Sequence, residues 1–274
     1  KILSQMRNEI SGTVKFIFQP AEEVGLGSLK LIEAGVMEGV DAIWGIHLWP
    51  DLPSGKLSLP PGPRMASADK IKITVRGKSG HGSMPHQGID AILAASAIIM
   101  NLQSISSREV APLEPVVVTI GKFTGGTSWN ITCDEVNLEG TTRCFSHEVR
   151  NSLAPAIERV AKNTAASFRA QAELDYIPIV PPMINDALIS QIATASLQKL
   201  YGDNMTKEVE KVMAGEDFAY LCETTPGAIA FLGIGNKEKK TDYPLHNNQF
   251  NIDEDVLPIG AALHAQFALD FLSR

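Results

Sequence analysis

Apolar and polar positions divide the chain into three stretches of two textures. Residues 2–10 read as the end of an amphipathic helix that Ser11-Gly12 terminates. Thr13 to Phe18 is a β-rich apolar run and predicts a buried strand. Ser28 to Ala34 is helical, with Gly35 as its stop, and Ala42 to His47 predicts a second buried strand. Strand, loop, helix and strand in that order predict a βαβ unit, and so a parallel sheet with helices on its faces.

The texture changes after the stiff stretch Pro60, Pro61, Pro63. Lys70 to Arg76 alternates strictly, so one face of that strand is wet. Asp90 to Leu102 reads as a strongly apolar helix, Pro115 to Phe123 and Asp134 to Phe145 as strands, Glu148 to Arg169 as a long helix, and Ala172 to Ile177 as a last strand. Strand–helix–strand–strand–helix–strand is the ferredoxin-like order, an antiparallel sheet with two helices on one face. From Pro181-Pro182 the first texture returns, with a helix over Leu188 to Tyr201, a strand over Ala228 to Gly233 and a closing helix over Asp255 to Leu272. The predicted fold class is α/β. A small α+β domain, 66–178, is inserted into a larger α/β domain made of 1–65 and 179–274.

Composition narrows the function classes. The 24 Lys and Arg against 31 Asp and Glu leave a net charge of −7, which argues against a general nucleic-acid binder. Hydrophobic residues at 44% suffice for a sizeable core and exclude disorder as the main state. Cys133, Cys144 and Cys222 form neither a disulfide framework nor a CxxC metal knuckle. No apolar run is long enough to span a membrane, and Lys1-Ile2-Leu3-Ser4 does not open a signal peptide, so a cytoplasmic protein is expected.

Several residues could carry chemistry. Glu22-Glu23 follows the carboxyl end of the first predicted strand, the edge where open parallel sheets bind ligands. One carboxylate could bind a metal while the other serves as a base; equally, both could be solvated acids at a helix N-terminus. His47 ends the next predicted strand, either as a metal ligand or as a satisfied interior histidine. His246 lies in a loop before the last helix, whereas His264 reads as packing and His147 as a turn residue. The run Gly77 to His86 holds His81 and His86 among turn-permitting glycines. Arg143 could grip a carboxylate or simply be a surface charge. In Gly215-Glu216-Asp217-Phe218, Asp217 could be a helix N-cap and Glu216 a first-turn acid. Trp44, Trp49 and Phe218 read as core. A GxSxG elbow and a strand-linked GxGxxG are both lacking, which speaks against a seryl hydrolase and a nicotinamide enzyme.

Seven strings in order along nearly the whole chain carry a resemblance: Phe18-Gln19-Pro20-Ala21-Glu22-Glu23, Gly45-Ile46-His47, Gly80 to His86, Gly125-Gly126-Thr127 with Asn130, Gly140-Thr141-Thr142-Arg143, Gly215 to Phe218, and Leu245-His246-Asn247. Together they resemble the metal-dependent aminoacylase/carboxypeptidase family. The nearest branch is the amidohydrolases with hippurate hydrolases, N-acyl-amino-acid deacylases and auxin-conjugate hydrolases. The resemblance implies a three-layer catalytic α/β domain carrying an inserted dimerisation or lid domain, a homodimer, and two divalent ions (zinc, manganese or nickel) that serve amide hydrolysis of N-acyl amino acids. It implies Glu22 as general base, Glu23, His47 and His246 as metal ligands, and His81 as the lid histidine that stabilises the oxyanion, often in the partner's site. Asn130, Arg143 and Glu216 would contact substrate.

The family also carries an upstream Cys-Gly-His-Asp segment with two further ligands, and none of the three cysteines here has that context. The chain opens on Lys1 as if within a helix, so the resemblance predicts an N-terminal truncation and an incomplete catalytic domain. Three ligands of five predict one weakly held ion or none in this chain alone. The alternative reading is a non-catalytic relative that dimerises or binds a ligand.

Overall fold

A computed structural model describes residues 1–274 apart from the side chain of Glu9. The chain divides into two compact units, one formed by 1–64, 184–211 and 217–274, the other by 65–183 and 212–216. In chain order the first unit supplies helix α1 (Gly27–Glu33), strand β1 (Ile43–Pro53) and the short strand β2 (Leu57–Ser58). The second unit runs β3 (Ala68–Arg76), β4 (Gly80–His81), α2 (Ala91–Ser104), β5 (Val116–Gly125), β6 (Ile131–Thr132), β7 (Glu135–Cys144), α3 (His147–Ser167) and β8 (Gln171–Val180). The chain then returns to the first unit for α4 (Ala187–Tyr201), α5 (Phe218–Thr224), β9 (Gly227–Gly235) and α6 (Leu257–Leu272). This is a mixed α/β fold.

In the first unit the sheet order is β1-β9-β2. β1 runs parallel to β9, with Ile43 opposite Gly227 and Trp49 opposite Gly233, and β2 closes the edge antiparallel. β9 is buried at every position but its last, the continuous apolar pattern expected of a central strand covered on both faces. Ile189, Ile192 and Leu197 of α4 and Leu263 and Phe267 of α6 pack with Ala228, Ala230 and Leu232 in one core.

In the second unit β5-β7-β3-β8 form an antiparallel sheet. Ile71, Ile73 and Val75 of β3 are fully buried against Ala94, Ala95 and Ile98 of α2 and Leu153 and Ile157 of α3. The intervening Lys70, Lys72 and Thr74 occupy the other face, which is why the strand alternates in sequence. Asp90 caps α2 by accepting from the Ile92 and Leu93 amides, and Ser146 caps α3 through the Val149 amide. The segment 212–216, which the sequence reading assigns to the first domain, belongs to this unit. The Ala66 amide donates to the carbonyls of Val212 and Ala214, and Gly215 lies against Val180 and Ala68.

Three expectations are corrected. Residues 13–18 are extended but join no ladder, and Phe16 and Phe18 stand 71% and 88% exposed rather than buried. A strand is held by the neighbour that takes its backbone donors and acceptors, and among the described residues no strand pairs with 13–18. The parallel partner of β1 is therefore β9, and the local βαβ unit does not form. His47 lies within β1 rather than at its end, because the buried Trp49 and Leu52 carry the strand on to Pro53. At the N-terminus, helix is confined to Ile2–Gln5, followed by a 3-10 turn at Arg7–Glu9.

Candidate active site

Glu22 and Glu23 open a single 3-10 turn, Glu22–Val24, between two left-handed residues, Ala21 (φ 56°) and Gly25 (φ 66°). Glycine adopts that conformation freely, whereas alanine there is strained, a feature that concentrates at functional sites. The chain passes so close to itself that a Cβ on Gly27 would lie 1.7 Å from the Pro20 carbonyl oxygen. The sequence thus forces a tight, raised loop that presents two adjacent carboxylates.

Their environments differ. Glu22 is half-buried, and its carboxyl is pushed up from the ordinary glutamate value, chiefly by burial and then by the nearby Asp217 carboxylate. The Asp217 backbone N–H donates to Glu22 and opposes the rise. Glu23 is exposed, and its Oε2 lies 3.7 Å from His246 Nε2. His246 sits at φ 62°, a second non-glycine residue in the left-handed region, in the turn that the Asn247 amide closes onto the Pro244 carbonyl.

His47 is half-buried on β1, with Nδ1 2.7 Å from the Leu48 carbonyl oxygen. A carbonyl only accepts, so Nδ1 donates and the neutral ring keeps its lone pair on Nε2. The ring is held edge-on by Trp49 at 5.6 Å, and Trp49 stacks on Phe231 at 4.2 Å. The guanidinium of the buried Arg64 lies 4.7 Å over the other partner of that stack, Phe231. Glu23 thus stands beside His246, and Glu22 lies near enough to Glu23 and His47 to feel both electrostatically, but no three of these four residues offer ligand atoms within 4.8 Å of one another. Carboxylates and imidazoles are residue types that suit a divalent transition ion, and the lone pair on His47 Nε2 is directed away from the Leu48 carbonyl.

The second unit brings His81 and Asn130 onto facing segments. β4 pairs with β6, His81 opposite Ile131, and the Gly82 amide donates to the Asn130 carbonyl at 2.8 Å. His81 is exposed, and its Nδ1 accepts from the Ser83 amide at 3.1 Å with Ser83 Oγ at 2.9 Å. A backbone N–H only donates, so the neutral ring carries its proton on the outward Nε2. Asn130 Oδ1 accepts from Ser128 Oγ. Arg143, on β7, is half-buried and donates from Nη1 to Thr141 Oγ1 and the Thr142 carbonyl. Burial lowers its pKa, with the Asp69 charge acting the other way. Glu216 is only 5% exposed, at the end of the 212–216 segment.

One group takes a different part from the cap the sequence suggests, and another escaped the sequence reading. Asp217 makes no side-chain cap on α5; its carboxylate accepts instead from Gln19 and Ser28. Gln19 stands in the same string as the two glutamates, which is the signal that could have found it. In the second unit Asp69 is fully buried, and Arg150 donates to both of its oxygens, with the Tyr176 hydroxyl on Oδ2.

Comparisons with known proteins show the family of this chain. The model of peptidase family M20/M25/M40 matches residues 1–270. N-acetylcysteine deacetylase of Bacillus subtilis is 40% identical over 98% of this chain and 69% of its own length. IAA-amino acid hydrolase ILR1-like 4 of Arabidopsis thaliana is 38% identical over 99% of this chain and 63% of its own length. A crystal structure of a Bacillus subtilis dinuclear metal-binding peptidase of the M20 family superposes with a TM-score of 0.85 at 36% identity, covering 99% of this chain and 68% of that one. This chain thus spans between about three fifths and seven tenths of the length of these relatives. With the family match over almost every residue, the chain belongs to peptidase family M20/M25/M40.

Proposed function

We propose that this chain is the greater part of a metal-dependent amidohydrolase that cleaves the amide bond of N-acyl amino acids. The observation that carries the reading is the paired loop Glu22-Glu23, with one carboxyl pushed up beside Asp217 and the other facing His246. The deacetylase and the IAA-amino acid hydrolase among its relatives are both named for an amide between an acyl group and an amino acid.

Glu23, His47 and His246 would hold the metal, and bound divalent ions supply Lewis acidity toward a water and toward the amide carbonyl. Glu22 takes the proton of the attacking water and returns it to the leaving nitrogen. A carboxyl raised above its ordinary range suits both directions of that transfer. His81, with its Nε2 proton outward, donates to the developing oxyanion. Asn130, Arg143 and Glu216 are read as substrate contacts.

We read the second unit as an inserted ferredoxin-like dimerisation and lid domain, made of 65–183 and 212–216 where 66–178 was expected. The strand order β5-β7-β3-β8 supports this, being the order of that fold. A homodimer through this unit would let His81 serve the partner's site. Cys133, Cys144 and Cys222 form no disulfide, which fits a reducing cytoplasm, and no helix is long and apolar enough to cross a membrane.

The test is hydrolysis of N-acetylcysteine and hippurate by the purified chain, with added Zn²⁺, Mn²⁺ or Ni²⁺ and after chelation. Metal-dependent release of the free amino acid is expected. Turnover that survives chelator would overturn the metal role, and metal uptake without turnover of any N-acyl amino acid would favour the non-catalytic, ligand-binding alternative.

A further inference from the structure

The geometry points to Asp217 as a positioning residue that clamps the Gln19–Ser28 loop from beneath and so sets where Glu22 and Glu23 stand. This rests on reading that loop as the reactive one. Asp217 is fully buried and lies at the start of α5, yet its side chain leaves that helix's amides uncapped. It reaches both ends of the loop. Oδ1 accepts from Gln19 Nε2, Oδ2 accepts from the Ser28 amide at 3.1 Å, and the one Ser28 hydroxyl proton is shared between Asp217 Oδ1 and Gln19 Oε1, each 3.1 Å from Oγ. Its backbone N–H donates to Glu22 in the middle. One residue therefore touches the loop at its entry, its turn and its exit.

Within the loop the Gly25 amide donates to the Glu22 carbonyl and the Leu26 amide to the Ala21 carbonyl, but neither bond ties it to the rest of the unit. Val24 and Leu26 are 61% and 52% exposed, so apolar packing is not its anchor. Ala21 is left-handed, a conformation that an unrestrained alanine would leave. A buried carboxylate is costly unless donors surround it, and here the donors are supplied by the loop itself. The chemistry is also specific. Gln19 Nε2–H and the Ser28 amide can only donate, and the Ser28 hydroxyl can donate as well. An acceptor-only group is required, which an ionised aspartate is and an asparagine is not. Asp217→Asn would set an NH₂ group against one of those donors with almost no change in volume.

The experiment is amide hydrogen exchange across the full 274-residue chain, paired with N-acetylcysteine hydrolysis in the presence of Mn²⁺. In Asp217→Asn the Ser28 amide and those of residues 22–26 should exchange about 10-fold faster or more, while the β9 amides of Ala228 to Leu232 keep their protection. In the same variant kcat should fall by about 10-fold or more with KM within about 2-fold, as expected when a reacting group is displaced rather than substrate binding lost. Ser28→Ala removes a single hydroxyl and leaves the amide donor, so it should give the same pattern at smaller amplitude and covers the case in which the aspartate variant folds poorly. An unchanged Ser28 amide would overturn the proposal. So would β9 amides that speed up equally with the loop in both variants, since that marks a role in the whole core. If the unsubstituted chain turns over no N-acyl amino acid, the proposed activity fails, and the exchange pattern alone decides the clamp.

Discussion

Glu23 and His246 approach one another from opposite ends of the chain, Oε2 to Nε2 at 3.7 Å, with both side chains open to solvent. An exposed pair of this kind contributes little to stability. Removing either partner should therefore leave folding intact. Glu23→Ala and His246→Ala are each expected to weaken Mn²⁺ binding by about 10-fold or more while the unfolding midpoint stays within a few degrees. Calorimetric titration of the metal checks this, and unchanged affinity in both variants would remove the pair from the ligand set.

Glu22 differs because its proposed task is proton transfer rather than ligation. Glu22→Gln keeps the shape and the hydrogen bond from the Asp217 amide but cannot accept a proton. Turnover should drop by roughly 10²–10⁴-fold, with KM and metal affinity close to those of the unsubstituted chain. Steady-state kinetics beside a metal titration separates the two roles. A Glu22→Gln chain of undiminished rate would end the assignment of Glu22 as base.

The buried carboxylate of Asp69 is shared by Arg150, through hydrogen bonds of 3.0 and 2.7 Å, by the Tyr176 hydroxyl at 2.9 Å and by the Ile179 amide at 3.2 Å. Asp69→Ala strips all of these donors of one acceptor, so the second unit should lose about 3–5 kcal/mol. Tyr176→Phe removes a single hydroxyl and should cost about 1–2 kcal/mol. Urea unfolding of the variants checks both. Equal costs would mean that Arg150 adds nothing beyond the tyrosine.

Acid should release a third contact, in the first unit. Donation from Lys239 and Ser54 holds the Asp253 carboxyl down to about 2, against an ordinary 3.8. A depressed carboxyl contributes stability that is present above its unfolded value and is lost as pH falls through its folded one. The contribution should therefore be complete above about pH 4 and vanish between pH 4 and 2. Asp253→Asn should flatten the pH dependence of unfolding over that window and change little in its slope at neutral pH. An unaltered acid limb would contradict the assignment.

Local physics made much of the fold legible. The alternation of Lys70 to Arg76 named a half-wet strand, and Asp90 and the apolar positions behind it named α2 with its boundary nearly in place. Periodicity and caps act between residues a few positions apart, so a one-dimensional reading recovers them. The strings around Glu22, His47, His81 and His246 were visible through their resemblance to a family, whose order they keep along the chain. What the chain order could not reveal was partnership. Thr13 to Phe18 has the pattern of a buried strand and joins no ladder, whereas β1 finds its parallel neighbour in β9 across the whole inserted segment. Asp217 has the sequence of a helix cap and turns instead to Gln19 and Ser28. Backbone pairing and buried hydrogen bonds are satisfied by whatever lies nearest in space, so only the tertiary structure chose those partners.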